Sequence, residues 1–275
     1  MVSGTFSRLA GAAFFVAFGT ASFAQDGEVL TKQYDDGGIY EGTFQGGLQH
    51  GTGTYRLPNG YEYTGDWVEG EIKGKGVARF PNGSVYEGDF AKGKPDGVGK
   101  IVFTDGGTYE GTWLDGKITG QGVAIPGGYI YEGDWINGVK EGNGTITYPD
   151  GSIYDGRIAR GAREGMGKLT MPDGLVYEGM WQAGQIEGTG MLRQPNGDVY
   201  EGELVAGRRQ GQGRVTYSNG DIYEGAFNND QRDGQGNFTG ADGYSYSGNW
   251  VAGQIEGEGR VVYPDGSGLH RHVPR

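Results

Sequence analysis

The sequence predicts an all-β protein, an elongated single-layer antiparallel sheet of about ten stacked β-hairpins, and three observations carry that reading. Glycine supplies 60 of the 275 residues, about three times its usual share of ~7%. The 18 Tyr, 11 Phe and 5 Trp are too many aromatics for a solvated coil. The phrase Tyr-Glu-Gly-x-(Trp/Phe), with variants, starts at Tyr40, Tyr63, Tyr86, Tyr109, Tyr131, Tyr154, Tyr177, Tyr200, Tyr223 and Tyr246. Eight of its nine intervals are 23 residues, and that from Tyr109 to Tyr131 is 22. A fixed period of this length marks a solenoid or array. Collagen is excluded, because glycine does not recur at every third position and there are only nine prolines.

One unit shows how the elements follow. Gly74 to Phe80 and Ser84 to Phe90 are alternating runs that flank Pro81-Asn82-Gly83, the pattern of a hairpin with a short turn. Proline presets φ, Asn or Asp tolerates the left-handed region, and Gly takes positive φ without steric cost. The same punctuation recurs at Pro58-Asn59-Gly60, Pro149-Asp150-Gly151, Pro172-Asp173-Gly174, Pro195-Asn196-Gly197 and Pro264-Asp265-Gly266. Strand alternation puts Tyr86, Gly88 and Phe90 on one face and Val85, Glu87 and Asp89 on the other. On the returning strand Gly74, Gly76, Ala78 and Phe80 can pack with the first set, so rings can lie over bare backbone at the glycines. A single hairpin is marginal, but ten in series bury a continuous strip.

The ends differ from the middle. Met1 to Arg8 is weakly positive, Leu9 to Gly19 is apolar, and Ser22-Phe23-Ala24 precedes Gln25 as a small-x-small cleavage pattern. The expected organisation is therefore a signal peptide over 1–24, a short leader over 25–29, the repeat array over 30–266 and a tail over 267–275. The alternative for the first segment is an uncleaved anchor, but its apolar run is short for a bilayer span. An exported chain, periplasmic or extracellular, is the expectation. Leu30 to Gly38 reads as the returning half and turn of a first hairpin closed by Tyr40. At the far end, Gly257 to Tyr263 reaches a turn whose partner strand is replaced by a tail ending in His270-Arg271-His272. The unpaired edge is a template for a second copy, giving a homodimer, or else it is frayed or covered by the tail.

At the positions Tyr-x-Gly-x-(Trp/Phe)-x-x-Gly-x-x-x-Gly-x-Gly-x-x-x-x-x-x-Gly the repeat resembles the MORN (membrane occupation and recognition nexus) repeat. Tyr131-Glu132-Gly133-Asp134-Trp135, Gly138, Gly142, Gly144 and Gly151 fit that pattern position by position. The resemblance covers roughly residues 30 to 266 and implies a twisted sheet of stacked hairpins. Similar arrays accompany junctophilins, plant phosphatidylinositol phosphate kinases and a lysine methyltransferase; no kinase or methyltransferase segment is found in this chain. Departures are Ile158 and Leu204 where Trp or Phe is expected, and a residue missing before Pro126, which predicts a local kink.

No enzyme signature emerges. Cysteine is absent, so neither disulfides nor thiolate metal sites exist. His50 reads as surface decoration, and His270 with His272 lacks a third ligand at metal spacing. No catalytic residue, cofactor or metal is expected. The acidic residues after the repeat tyrosines, from Glu41 to Glu224, predict an acidic ladder on one face, read as solubility and edge protection ahead of cation binding. Beyond residue 24 the chain holds 22 basic and 35 acidic residues, or −13. That charge argues against nucleic acid and disfavours an anionic membrane surface.

The expected function is a non-catalytic scaffold for an unknown protein partner or for self-association, the alternative being a peripheral phospholipid-binding module. The candidate groove is formed by Trp67, Phe90, Trp113, Trp135, Trp181, Phe227 and Trp250. The competing reading makes these same rings the packing core.

Overall fold

The computed structural model describes residues 27–273 and has the expected fold class. The described residues form 22 strands and no helix, and the expected signal peptide lies outside them. Each repeat gives a seven-residue strand such as Val85–Ala91 and a nine-residue strand such as Lys94–Val102. The chain divides into two compact units between Ile118 and Thr119. In the first, the strands from Val29–Gln33 to Thr108–Leu114 pair antiparallel in chain order. In the second, those from Lys117–Ile125 to Gly268–Val273 do the same.

Two connections alternate. The Pro-Asn-Gly punctuation joins a long strand to the next short one, as expected: Gly83 N–H donates to the Phe80 carbonyl and Phe80 N–H to that of Ser84. Only Gly83 there takes positive φ. Asn82 contributes instead through its side chain, whose Oδ1 accepts the Ser84 N–H at 3.0 Å, an Asx-turn rather than a left-handed residue. The second connection, short strand to long, is a two-residue turn with positive φ at both positions, as at Lys92 (51°) and Gly93 (75°). This is the type I′ signature, whose twist matches that of the flanking strands.

Register confirms the facing read from the sequence: Gly74 lies opposite Phe90, Gly76 opposite Gly88 and Ala78 opposite Tyr86. A register shift occurs within hairpins closed by a two-residue turn, as between Gly88 and Phe90, where the long strand carries extra residues. The Asp89 carboxylate accepts the Val98 N–H at 3.0 Å, satisfying a donor in that bulge.

Departures from regularity are local. The residue missing before Pro126 shortens a loop and leaves register intact: Tyr131 faces Ala124 as Tyr154 faces Ile146. Ile158 and Leu204 are buried in the place of Trp or Phe. The segment after Gly266 differs from expectation. Gly268–Val273 is a strand paired with Gln254–Val262, because Gly268, Leu269 and the residues after them continue the same register. The expected homodimer edge therefore moves outward by one strand.

Candidate functional site

The aromatic face is built around one recurring arrangement. In every repeat the tyrosine hydroxyl donates to the carbonyl three residues on, as Tyr154 does to Arg157 at 2.8 Å and Tyr177 to Met180 at 2.8 Å. Its ring lies over a cross-strand pair of glycines. A Cβ on Gly167 would sit 2.4 to 2.7 Å from atoms of the Tyr154 ring, and one on Gly156 would be 2.5 Å from the Gly167 Cα. Glycine is thus required here for space.

The indoles complete the frame. Trp67, Trp113, Trp135, Trp181 and Trp250 each donate Nε1–H to a glycine carbonyl, for example Trp181 to Gly167 at 3.2 Å. Rings meet edge to face in a zigzag: Tyr63 touches Trp67 and Phe90, and Tyr223 touches Phe227 and Trp250, with centroids 4.9 to 5.7 Å apart. Such geometry suits the quadrupole of aromatic rings. Trp67, Phe90, Trp113, Trp135, Trp181, Phe227 and Trp250 are all buried, at 3 to 8% exposure. They stand as packing core, so any ligand on this face meets the residues laid over them.

Those residues occupy one repeat position that the sequence reading did not single out. In the second unit the partner opposite the Trp/Phe position is Lys140, Arg163, Ile186, Arg209, Arg232 and Ile255 in turn. The signal was present as a 23-residue spacing among cations. Arg163 and Arg232 hold their guanidinium carbons 4.1 Å from the ring centroids of Trp181 and Trp250, and Arg209 lies 5.2 Å from that of Phe227. Lys140 reaches the hydroxyl of Tyr129 and lies 4.5 Å from its ring centroid. Tyr129 precedes a strand whose sixth residue onward, Trp135, faces Lys140. Six extended residues span about 20 Å, beyond the combined reach of the two side chains, so the strand bends over the aromatic face into a trough. A hollow of about 410 Å³ has Gln194, Asp198, Arg209, Tyr217, Asp230 and Arg232 in its lining.

Electrostatics on the two faces differ. Arg209 pairs with Asp230 at 3.3 Å, while Lys140, Arg163 and Arg232 have no carboxylate within ion-pair distance among the described residues. Burial pushes the phenols of Tyr131, Tyr154, Tyr177, Tyr200 and Tyr223 up to about 12, so they stay neutral donors. On the opposite face the expected acidic ladder is broken by cations on the intervening strands: Glu87, Lys100 and Glu110 form one row, and Asp155, Lys168 and Glu178 another. No group of three His, Asp or Glu residues placed to hold a metal occurs among the described residues. His272 faces Glu258 at 3.1 Å on the surface.

A family model described as the MORN repeat matches residues 40–60, 63–85, 86–108, 109–125, 131–153, 154–176, 177–199, 200–222, 223–243 and 246–268. No curated protein matches the chain. Among solved structures, the TCP10 domain of Danio rerio CPAP in complex with a STIL peptide is 16% identical, at a TM-score of 0.44 over 90% of this chain and 100% of that one. The SAS-4 (dCPAP) TCP domain of Drosophila melanogaster, in complex with a proline-rich motif of Ana2, is 16% identical at a TM-score of 0.37, over 64% and 90% of the two chains. Virginiamycin B lyase from Staphylococcus aureus is 13% identical at 0.15, over 92% and 72%. None of these structural likenesses bears on what this chain does.

Proposed function

Because this chain belongs to the MORN repeat family, we propose that it is a non-catalytic, exported scaffold whose aromatic-face trough binds an extended segment of a protein partner. One observation carries the reading: the recurring chemistry of the repeat is consumed internally. Ten tyrosine hydroxyls and five indole N–H groups are spent on backbone carbonyls, and among the described residues no buried side-chain polar atom lacks a partner. What varies from repeat to repeat is the row laid over that frame, cationic at some steps and apolar at others. A constant frame presenting variable side chains at fixed intervals is how repeat arrays recognise extended ligands. Self-association through Gly268–Val273, which pairs on one side with Gln254–Val262, is a second use of the same array.

Export is supported by the segment Met1 to Ala24, with its apolar run and its Ser22-Phe23-Ala24 ending. N-terminal sequencing of protein recovered outside the cytoplasm should begin near Gln25; a start at Met1 would overturn it. Binding is tested by co-sedimenting the purified protein with neutral and anionic vesicles across a salt series. Absence from both pellets is expected of a protein-binding scaffold. Pelleting that survives moderate salt would replace it with the phospholipid-binding alternative.

A further inference from the structure

We propose that the cation row of the second unit is a binding site for an acidic polypeptide in the polyproline II conformation, its carboxylates spaced by multiples of three residues to match the cations. This rests on the protein-binding reading above and names the partner's chemistry. The row advances by one repeat, two strands, at each step, and strands lie about 4.8 Å apart, so successive positions are about 9.6 Å apart. A polyproline II helix turns once in three residues and rises about 9.3 Å in doing so. Side chains at every third residue therefore face the same way at the spacing of the row. A β-strand ligand would turn successive third residues to opposite faces.

Charge and chemistry favour this occupant. Lys140, Arg163 and Arg232 are half-buried, are held in place by rings, and have no carboxylate partner among the described residues. Arg163 and Arg232 each use one nitrogen, Nη2, on a glycine carbonyl, at 2.5 and 3.0 Å. A guanidinium has five N–H donors, so others remain for a ligand carboxylate. Tyr129 and Tyr217 add aromatic surface from the loop side, the kind of lining on which proline-rich helices dock. Ile186 and Ile255 interrupt the row, and Asp198 and Asp230 flank Arg209 in the hollow. A uniform polyanion such as a polyuronate would set charges over both isoleucines and beside those acids. A polypeptide can place apolar residues at those steps.

The test is isothermal titration of the purified full chain at low and moderate salt. One synthetic peptide follows the row at every third position, with Glu at the steps of Lys140, Arg163 and Arg232, Leu at those of Ile186 and Ile255, Gln at that of Arg209, and Pro between. A second has the same composition with its Glu residues clustered. The periodic peptide is expected to bind at least tenfold more tightly than the clustered one. The double variant Lys140→Met with Arg163→Met should lose at least tenfold of that affinity, while Lys168→Met with Arg214→Met on the opposite face should lose less than twofold. Equal binding of the two peptides, equal loss in the two double variants, or tighter binding of polyuronate than of the periodic peptide would overturn the proposal. No binding of either peptide would also overturn it, and would leave a protein partner of different chemistry to be recovered by crosslinking.

Discussion

Arg163 and Gly184 exchange hydrogen bonds across the boundary between two repeats. The Gly184 N–H donates to the Arg163 carbonyl at 2.9 Å, and the Arg163 Nη2 donates to the Gly184 carbonyl at 2.5 Å. Beside them Glu164 Oε2 accepts the Ala183 N–H at 2.9 Å. The same clasp ties Arg232 to Gly253, with Asp233 in the part of Glu164. These two turns are thus fixed to the repeat before them, and the arginine that fixes each also covers the next indole. Packing and the presentation of the cation row are one device.

That clasp predicts a graded response. Glu164→Ala should destabilise by about 1 kcal/mol, the net worth of an exposed charge-assisted bond. Arg163→Ala should cost about 2 kcal/mol, since it removes both a carbonyl bond and a guanidinium stacked on an indole. Urea unfolding of the two variants checks the order; a larger loss for Glu164→Ala would contradict the clasp.

Glycine spacing predicts steric sensitivity. Gly167→Ala drives a methyl into the Tyr154 ring and should cost about 1–3 kcal/mol, as overpacking does. Tyr154→Phe keeps the ring, loses only the bond to the Arg157 carbonyl, and should cost about 1 kcal/mol. Thermal melts of the two variants compare them directly.

The buried indoles predict a spectroscopic signature. With all five tryptophans 3 to 8% exposed, emission should be blue-shifted and resist iodide quenching until the sheet unfolds. Trp181→Ala should cost about 3–5 kcal/mol, in the range of large-to-small core changes. Emission at the solvent-exposed wavelength in the folded protein would show the rings lining an open surface.

Alkaline pH should unfold the array. Burial holds the phenols of Tyr154, Tyr177, Tyr200 and Tyr223 up to about 12, whereas in the unfolded chain tyrosine ionises near ~10. Through that window the unfolded chain has released protons that the folded chain keeps. Stability is therefore complete below about pH 10 and falls as pH rises toward about 12. The last part of the rise in phenolate absorbance should come together with loss of the β-sheet circular dichroism. Full phenolate absorbance of all 18 tyrosines with the sheet intact would contradict the burial.

How far the fold could be read in advance follows from which signals are periodic in one dimension. The Tyr-Glu-Gly phrase repeats along the chain, so strand pairing and facing were legible at Tyr86, Gly88 and Phe90. The I′ turns were not, because Lys92, Arg160 and Ala183 occupy positive φ with no common residue type to announce it. The last strand was missed because Leu269 and His270 carry no Tyr-Glu-Gly phrase; only their register beside Val261 and Arg260 reveals them. For the candidate site, the aromatic positions were legible as packing core or groove, and their burial puts them in the core. The cation row keeps the 23-residue period, yet at Ile186 and Ile255 the charge is absent, so composition alone hides it.

The trough's role is read out by site-specific photocrosslinking in the compartment where the chain resides, with the photoreactive residue at Ile186 or Ile255 and, as comparison, at Lys168 or Arg214 on the opposite face. A discrete protein adduct formed from Ile186 and Ile255, and absent from Lys168 and Arg214, is the predicted result. Adducts to lipid, or equal labelling of both faces, would contradict a trough that binds an extended segment of a protein partner.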